Sequence, residues 1–295
     1  FSVLDTILCD RSTWAQRGGN WHARFYDFVN VLRSQRPEHL SILDNYIVPM
    51  TNRLEQDKRI MKKLVLASIF LALLVIVLGA YTRLTDAGLG CPDWPGCYGT
   101  LLVPQSAELV ERANQAFPER PLEAEKAWNE MIHRYFAAGL GFFIVVLFFT
   151  SVVKKMRGLR GPVKLPFLIF VLVCFQGALG MWTVTLNLLP VVVMGHLLGG
   201  FAVLSCLFLL YLRLTSYRIP GGDAQIRPYA KFGALGIAIV VWQIALGGWT
   251  SANYASLACT ELPICEGDWF GSLDIAGAFS MPVAENYEFG VHDYQ

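Results

Sequence analysis

An all-α membrane protein, a transmembrane helix bundle of tandem four-helix halves with only the first half complete and five spans present, is the fold class that three features of this 295-residue chain predict. Hydrophobic residues make up 54% of it against 16% charged, with a mean hydropathy of +0.43, which is too apolar for an ordinary soluble domain. Long uncharged runs recur along it. The stretch Gly79 to Gly99, GAYTRLTDAGLGCPDWPGCYG, returns 168 residues later as Gly247 to Gly267, GGWTSANYASLACTELPICEG. In that ungapped match Gly79, Thr82, Ala87, Leu89, Cys91, Pro95, Cys97 and Gly99 face identical residues, and a self-match at a fixed period sets architecture before any single element does.

Taken in order, residues 1–60 form an N-terminal extension of unassigned origin on the cytoplasmic side. Phe1 is not an initiator, and Met50 or Met61 would serve as a start. No signal peptide stands at the N-terminus, and no run in 1–49 is long enough to cross a bilayer, although FYDFVNVL suits a short amphipathic helix. Leu64 to Thr82 is 19 uncharged residues, about 29 Å as a helix, and matches the hydrocarbon core as the first span. Tyr135 to Val153, again 19 residues, is the second. Leu165 to Leu212 holds no Asp, Glu, Lys or Arg, and the turn at Asn187-Leu-Leu-Pro190 divides it into the third and fourth. Phe232 to Thr250 is the fifth. Residues 61–215 are thus a first four-helix half, and 216–295 the first helix and outer loop of a second.

Basic residues set the orientation. Lys58, Arg59, Lys62 and Lys63 precede the first span; Lys154, Lys155, Arg157, Arg160 and Lys164 fill the second connection; Arg213, Arg218, Arg227 and Lys231 fill the fourth. These sides face the cytoplasm. The first connection, the third and the tail face outward, which in a bacterial inner (plasma) membrane is the periplasm. A net charge of +1 excludes a bulk field for nucleic acid, and lipid is the evident partner.

Both cysteine pairs, Cys91 with Cys97 and Cys259 with Cys265, fall in outward loops, where disulfides persist. They are expected to be local disulfides, either staples over the bundle mouth or redox-active groups; zinc lacks the close spacing and loop histidines it needs. Cys174 and Cys206, inside spans, are small packers. Odd-numbered spans share an outer end: LGAYT at Leu78 to Thr82, LGMWT at Leu179 to Thr183 and LGGWT at Leu246 to Thr250. Its glycines serve close helix approach or make room for a flat ligand.

Two histidines stand in the even-numbered spans, His133 near the outer end of the second and His196 about 10 Å into the fourth. An ionisable group at membrane depth is a functional candidate, and two at similar depth on alternate helices of one bundle can hold a haem iron from both faces. Glu130, three residues before His133, shares its helix face. It either complements the helix N-terminus or acts chemically, and Arg134 either snorkels or binds a propionate.

The combination of TRLTDAGLGCPDWPGCYG, EMIHRYFAAGLG, MGHLLGG and QIALGGWTSANYASLACTELPIC resembles the haem A synthase family of cytochrome oxidase biogenesis over about residues 61–295. The resemblance implies eight spans in two four-helix halves, with a histidine pair in the even helices of each. It implies haem O as substrate at the N-terminal pair, a prosthetic haem b at the C-terminal pair, and oxidation of a methyl group of haem O to a formyl group with oxygen from water. On this resemblance His133 and His196 are the N-terminal pair, Glu130 the catalytic acid, and Cys91 with Cys97 the loop disulfide. The second pair would fall near positions 301 and 364, past Gln295, so the sixth to eighth spans are expected to be missing; His292, in the tail, is not a substitute. Haem O synthase, cytochrome oxidase assembly factors and a second copy of the chain are the partners that the resemblance leaves in view. Two other classes remain: a bis-histidine membrane cytochrome passing electrons to or from quinone, and a membrane thiol oxidase built on the outward cysteines.

Overall fold

The computed structural model describes residues 40–159, 161–215, 225–255, 275–281 and 283–288, with side chains from Glu55 onward except at Ile275 and Ala276. The chain divides into two compact units, Phe1–Arg59 and Ile60–Gln295. In the first, the described residues are helical; FYDFVNVL lies outside the described residues.

The helices are α1 (Leu40–Leu84), α2 (Ala107–Ala116), α3 (Ala124–Met156), α4 (Lys164–Thr185), α5 (Pro190–Thr215), a 3-10 turn (Arg227–Tyr229), α6 (Ala230–Ala252) and the short α7 (Ile275–Ala278). Five segments are long and apolar enough to cross a membrane: Glu55–Leu84, Ala124–Met156, Lys164–Thr185, Pro190–Thr215 and Arg227–Ala252. The protein is therefore a multi-pass membrane protein whose described membrane part is all helical, as expected from the uncharged runs. The helix α2, absent from the sequence reading, begins where Ser106 accepts a hydrogen bond from the Leu109 N–H at 3.3 Å.

The three odd-numbered spans end alike, which shows the repeat in the backbone itself. Asp86, Asn187 and Tyr254 occupy equivalent positions and all take positive φ, at 49°, 49° and 56°. Each donates its N–H to the carbonyl three residues back, on Arg83, Val184 and Ser251. In the first two copies the next N–H, of Ala87 and Leu188, reaches back five residues to Thr82 and Thr183 at 2.9 and 2.8 Å. That pair of bonds is the Schellman termination, which satisfies carbonyls that a helix end would otherwise orphan in an apolar setting.

One apolar core joins four spans. Met61, Val65 and Ala72 of α1 pack with Leu140, Ile144 and Leu147 of α3, Leu165 and Ile169 of α4, and Val203, Leu207 and Leu210 of α5. All of these lie toward the end of the bundle away from the Cys91 loop. Hydroxyls there are satisfied within their own helices: Ser68 donates to the Leu64 carbonyl at 2.9 Å and Ser151 to that of Leu147 at 2.8 Å. The helix α6 packs on α5 and is otherwise largely exposed. The tight packing of one half leaves the polar side chains concentrated in the other, next to the loop.

Candidate functional site

His133 and His196 come together between the helices, with ring centroids 6.4 Å apart and ring planes at 79°. The Nδ1 of each is buried and makes no hydrogen bond. An iron bound by two axial imidazoles, each metal–nitrogen bond being about 2 Å, spaces ring centres at roughly 6 Å. Among the described residues no group of three or more His, Cys, Asp or Glu could hold a bare metal ion. A pair of histidines alone is the donor set of an ion whose other ligands come from elsewhere, and a porphyrin supplies four nitrogens.

The repeated glycines have a specific job. A Cβ on Gly79 would lie 2.9 Å from His133 Cε1, and one on Gly180 would lie 3.4 Å from His196 Cε1. Each odd span therefore opens a seat for the imidazole of the next even span. Gly247, the third copy, has nothing within 4 Å of such a Cβ.

Glu130 is buried at 5% exposure. Its carboxylate accepts the Cys91 N–H at 2.8 Å and an Nη2–H of Arg134 at 2.5 Å. Arg134 in turn donates from Nη1 to the carbonyls of Asp93 at 2.9 Å and Gly96 at 2.5 Å. The loop is built to receive this pair. Cys91 and Cys97 form a disulfide, with Cα atoms 4.9 Å apart. Asp93 accepts the N–H groups of Tyr98 at 2.6 Å and Gly99 at 2.8 Å, and both those residues have positive φ. At Gly90 a Cβ would meet the Lys126 backbone at 2.5 Å, so the loop lies directly on α3. Tyr98 packs edge-on against Phe117 at 5.5 Å and donates to the Arg120 carbonyl at 3.1 Å, and burial raises its hydroxyl above the usual tyrosine range.

The structure thus brings the predicted residues His133 and His196 into one space, and Glu130, Arg134, Cys91 and Cys97 into a network over the same helix. Arg134 is engaged by the loop, so a propionate would have to share its guanidinium. Cys259, Cys265 and His292 lie outside the described residues. Sequence reasoning missed Gln176, whose Nε2 is buried without a partner against Gly199. The available signal was an amide four residues before the shared glycine, repeated as Gln243 before Gly247.

Residues 62–289 match the model of the COX15-CtaA family, described as cytochrome oxidase assembly protein. A "Heme A synthase" of Shewanella oneidensis is 53% identical over 224 residues, covering 75% of this chain and 67% of that protein. Proteins of the same name from Brucella anthropi and Brucella ovis are each 26% identical, over 72% and 74% of this chain and 63% and 64% of their own lengths. The chain therefore spans roughly two thirds of the length of these relatives. No solved structure matches. With the family model matching most of its length, the chain belongs to the COX15-CtaA family of cytochrome oxidase assembly proteins.

Proposed function

We propose that this chain carries the substrate site of a haem A synthase, in which haem O is held between His133 and His196 and one of its methyl groups is oxidised to a formyl group with oxygen from water, the four electrons and four protons released passing to an electron acceptor outside the chain. The observation that supports this most directly is the buried imidazole pair at 6.4 Å, with both Nδ1 atoms unpartnered and no third protein ligand among the described residues. His133 and His196 position the porphyrin by its iron; the glycine seats fix both rings. Glu130 is fixed as well, one turn from His133 toward the loop, and it steers a water or a proton at the reacting methyl. Arg134 holds that carboxylate and the loop carbonyls, and its charge favours propionates at the same rim. The disulfide loop restricts water around this group. Cys259 with Cys265 is a second disulfide over the second half on this reading.

The orientation follows from the basic connections: N-terminal side cytoplasmic, cysteine loops periplasmic, in a bacterial inner membrane. A prosthetic haem b belongs to the second half, of which α6 with its open Gly247 seat is the described part. Haem O synthase and cytochrome oxidase assembly factors are the partners this chemistry calls for, and a second copy is compatible with it.

The test is pigment extraction after expression of the protein with a source of haem O. Wild type is expected to retain haem, and His133→Ala and His196→Ala to lose it. Glu130→Gln is expected to bind haem yet accumulate haem O or a hydroxylated intermediate in an expression background where wild type yields haem A. Wild type without bound haem overturns the site. Undiminished haem A from Glu130→Gln overturns the role of that residue, and a haem spectrum with no altered porphyrin in any sample identifies an electron-transfer cytochrome instead.

A further inference from the structure

We propose that Gln176 reads the hydroxyl on the alkyl substituent of the bound porphyrin and so selects haem O over haem b; this rests on the haem site proposed above. Three buried side-chain nitrogens lack a hydrogen-bond partner among the described residues: His133 Nδ1, His196 Nδ1 and Gln176 Nε2. The first two belong to the imidazole pair. The third is an amide at 9% exposure in an apolar helix bundle, where an unmade hydrogen bond carries a full desolvation penalty.

Its place says what it meets. Gln176 lies one turn from Gly180, the seat of His196, on the side away from the disulfide loop. Its amide abuts Gly199 of α5, three residues beyond His196 in the same inward direction, and a side chain on Gly199 would collide with it. The amide thus sits about one helical turn, roughly 5 Å, deeper than the histidines. A macrocycle seated between them presents an edge at that depth. That edge cannot be the one with the propionates, because carboxylates are costly in hydrocarbon. Arg83 and Arg134 stand at the loop end, whereas Leu165 to Leu212 carries no charge. The inward edge is the one opposite the propionates. In haem O it bears a hydroxyalkyl chain; in haem b the same position bears a vinyl group, which makes no hydrogen bond. An amide can donate to a hydroxyl or accept from it, so the assignment does not depend on which amide atom faces inward. A site built around a substrate hydroxyl rejects the analogue without it.

The experiment titrates the purified protein with haem O and, separately, with haem b, following the absorbance band of each. Wild type is expected to prefer haem O by about tenfold, the weight of one buried hydrogen bond. Gln176→Met, which keeps the volume, is expected to bind haem b as wild type does and to lose the preference, and Gln176→Asn to recover part of it. An unchanged preference in Gln176→Met, or no preference in wild type, overturns the assignment. So does loss of both haems in both variants, which would make the residue structural. Failure of wild type to bind either haem overturns the histidine site itself and is distinguished by that.

Discussion

Arg134 illustrates how one side chain can be committed to two tasks at once. Its guanidinium holds the carboxylate of Glu130 and the loop carbonyls of Asp93, Pro95 and Gly96. The planar fork of arginine suits this, whereas the single ammonium of lysine cannot serve both sides. Arg134→Lys is expected to lower stability by about 2 kcal/mol, and Arg134→Met by more, because the methionine leaves the buried Glu130 carboxylate without a cation beside it. Thermal unfolding in detergent measures both; midpoints equal to that of wild type in both variants would show that the buried pair contributes nothing. The same geometry bears on Glu130→Gln, since an amide there presents an N–H to either Arg134 or Cys91. A stability loss in that variant, measured beside its pigment, separates a chemical role from a scaffolding one.

Among the helices, the glycine seats carry the sharpest expectation. Gly79→Ala places a methyl 2.9 Å from the His133 ring, and Gly180→Ala one at 3.4 Å from the His196 ring, while Gly177 on the same helix has open space. The first is overpacking, which costs about 1–3 kcal/mol or tilts the ring, whereas the second is close to ordinary contact. Bound haem in Gly79→Ala is expected to show a changed low-spin electron paramagnetic resonance signal, because that signal follows the angle between the two imidazole planes, whereas Gly177→Ala should match wild type. Identical spectra from both would remove the seats from the site.

These seats also show what sequence alone conveys. The five spans were legible because absence of charge over a bilayer thickness is a local property, and the turn before Pro190 because proline acts locally. The histidine pair was legible through depth, since helix rise converts sequence position into height. The role of Gly79 and Gly180 was not, because a glycine that admits a ring and one that admits a flat ligand have the same local signature. Gln176 was hidden for the same reason: its lack of a partner depends on Gly199 across a helix interface. Ala107–Ala116 lies in a charged connection with no long apolar run, so that Ser106 alone marks its start.

At the scale of the whole molecule, the two copies of the 168-residue repeat meet at matching positions. Arg83 Nη2 donates to the carbonyl of Ser251, its own counterpart, and the guanidinium lies 3.7 Å over the ring of Tyr254, the counterpart of Asp86. Elsewhere the loop face is tied by Asn187, which accepts from Arg120 at 3.2 Å, donates to the Glu285 carbonyl at 2.8 Å and receives the Tyr287 N–H at 3.1 Å. Since α6 otherwise packs mainly on α5, the Arg83 contact is a second hold on the helix that opens the second copy. A cation over an aromatic ring contributes about 0.5–1 kcal/mol and a charged hydrogen bond about 1.5–3 kcal/mol, with part lost to solvent at this half-exposed rim. Arg83→Met is expected to cost about 2 kcal/mol and Arg83→Lys about half of that, because lysine keeps the charge without the planar stack. Tyr254→Leu should cost less in the Arg83→Met background than in wild type, as residues in contact do not act additively. A double-mutant cycle on thermal unfolding measures this coupling. Strictly additive losses would mean that the copies are adjacent without supporting each other, and that α5 alone holds the second copy in place.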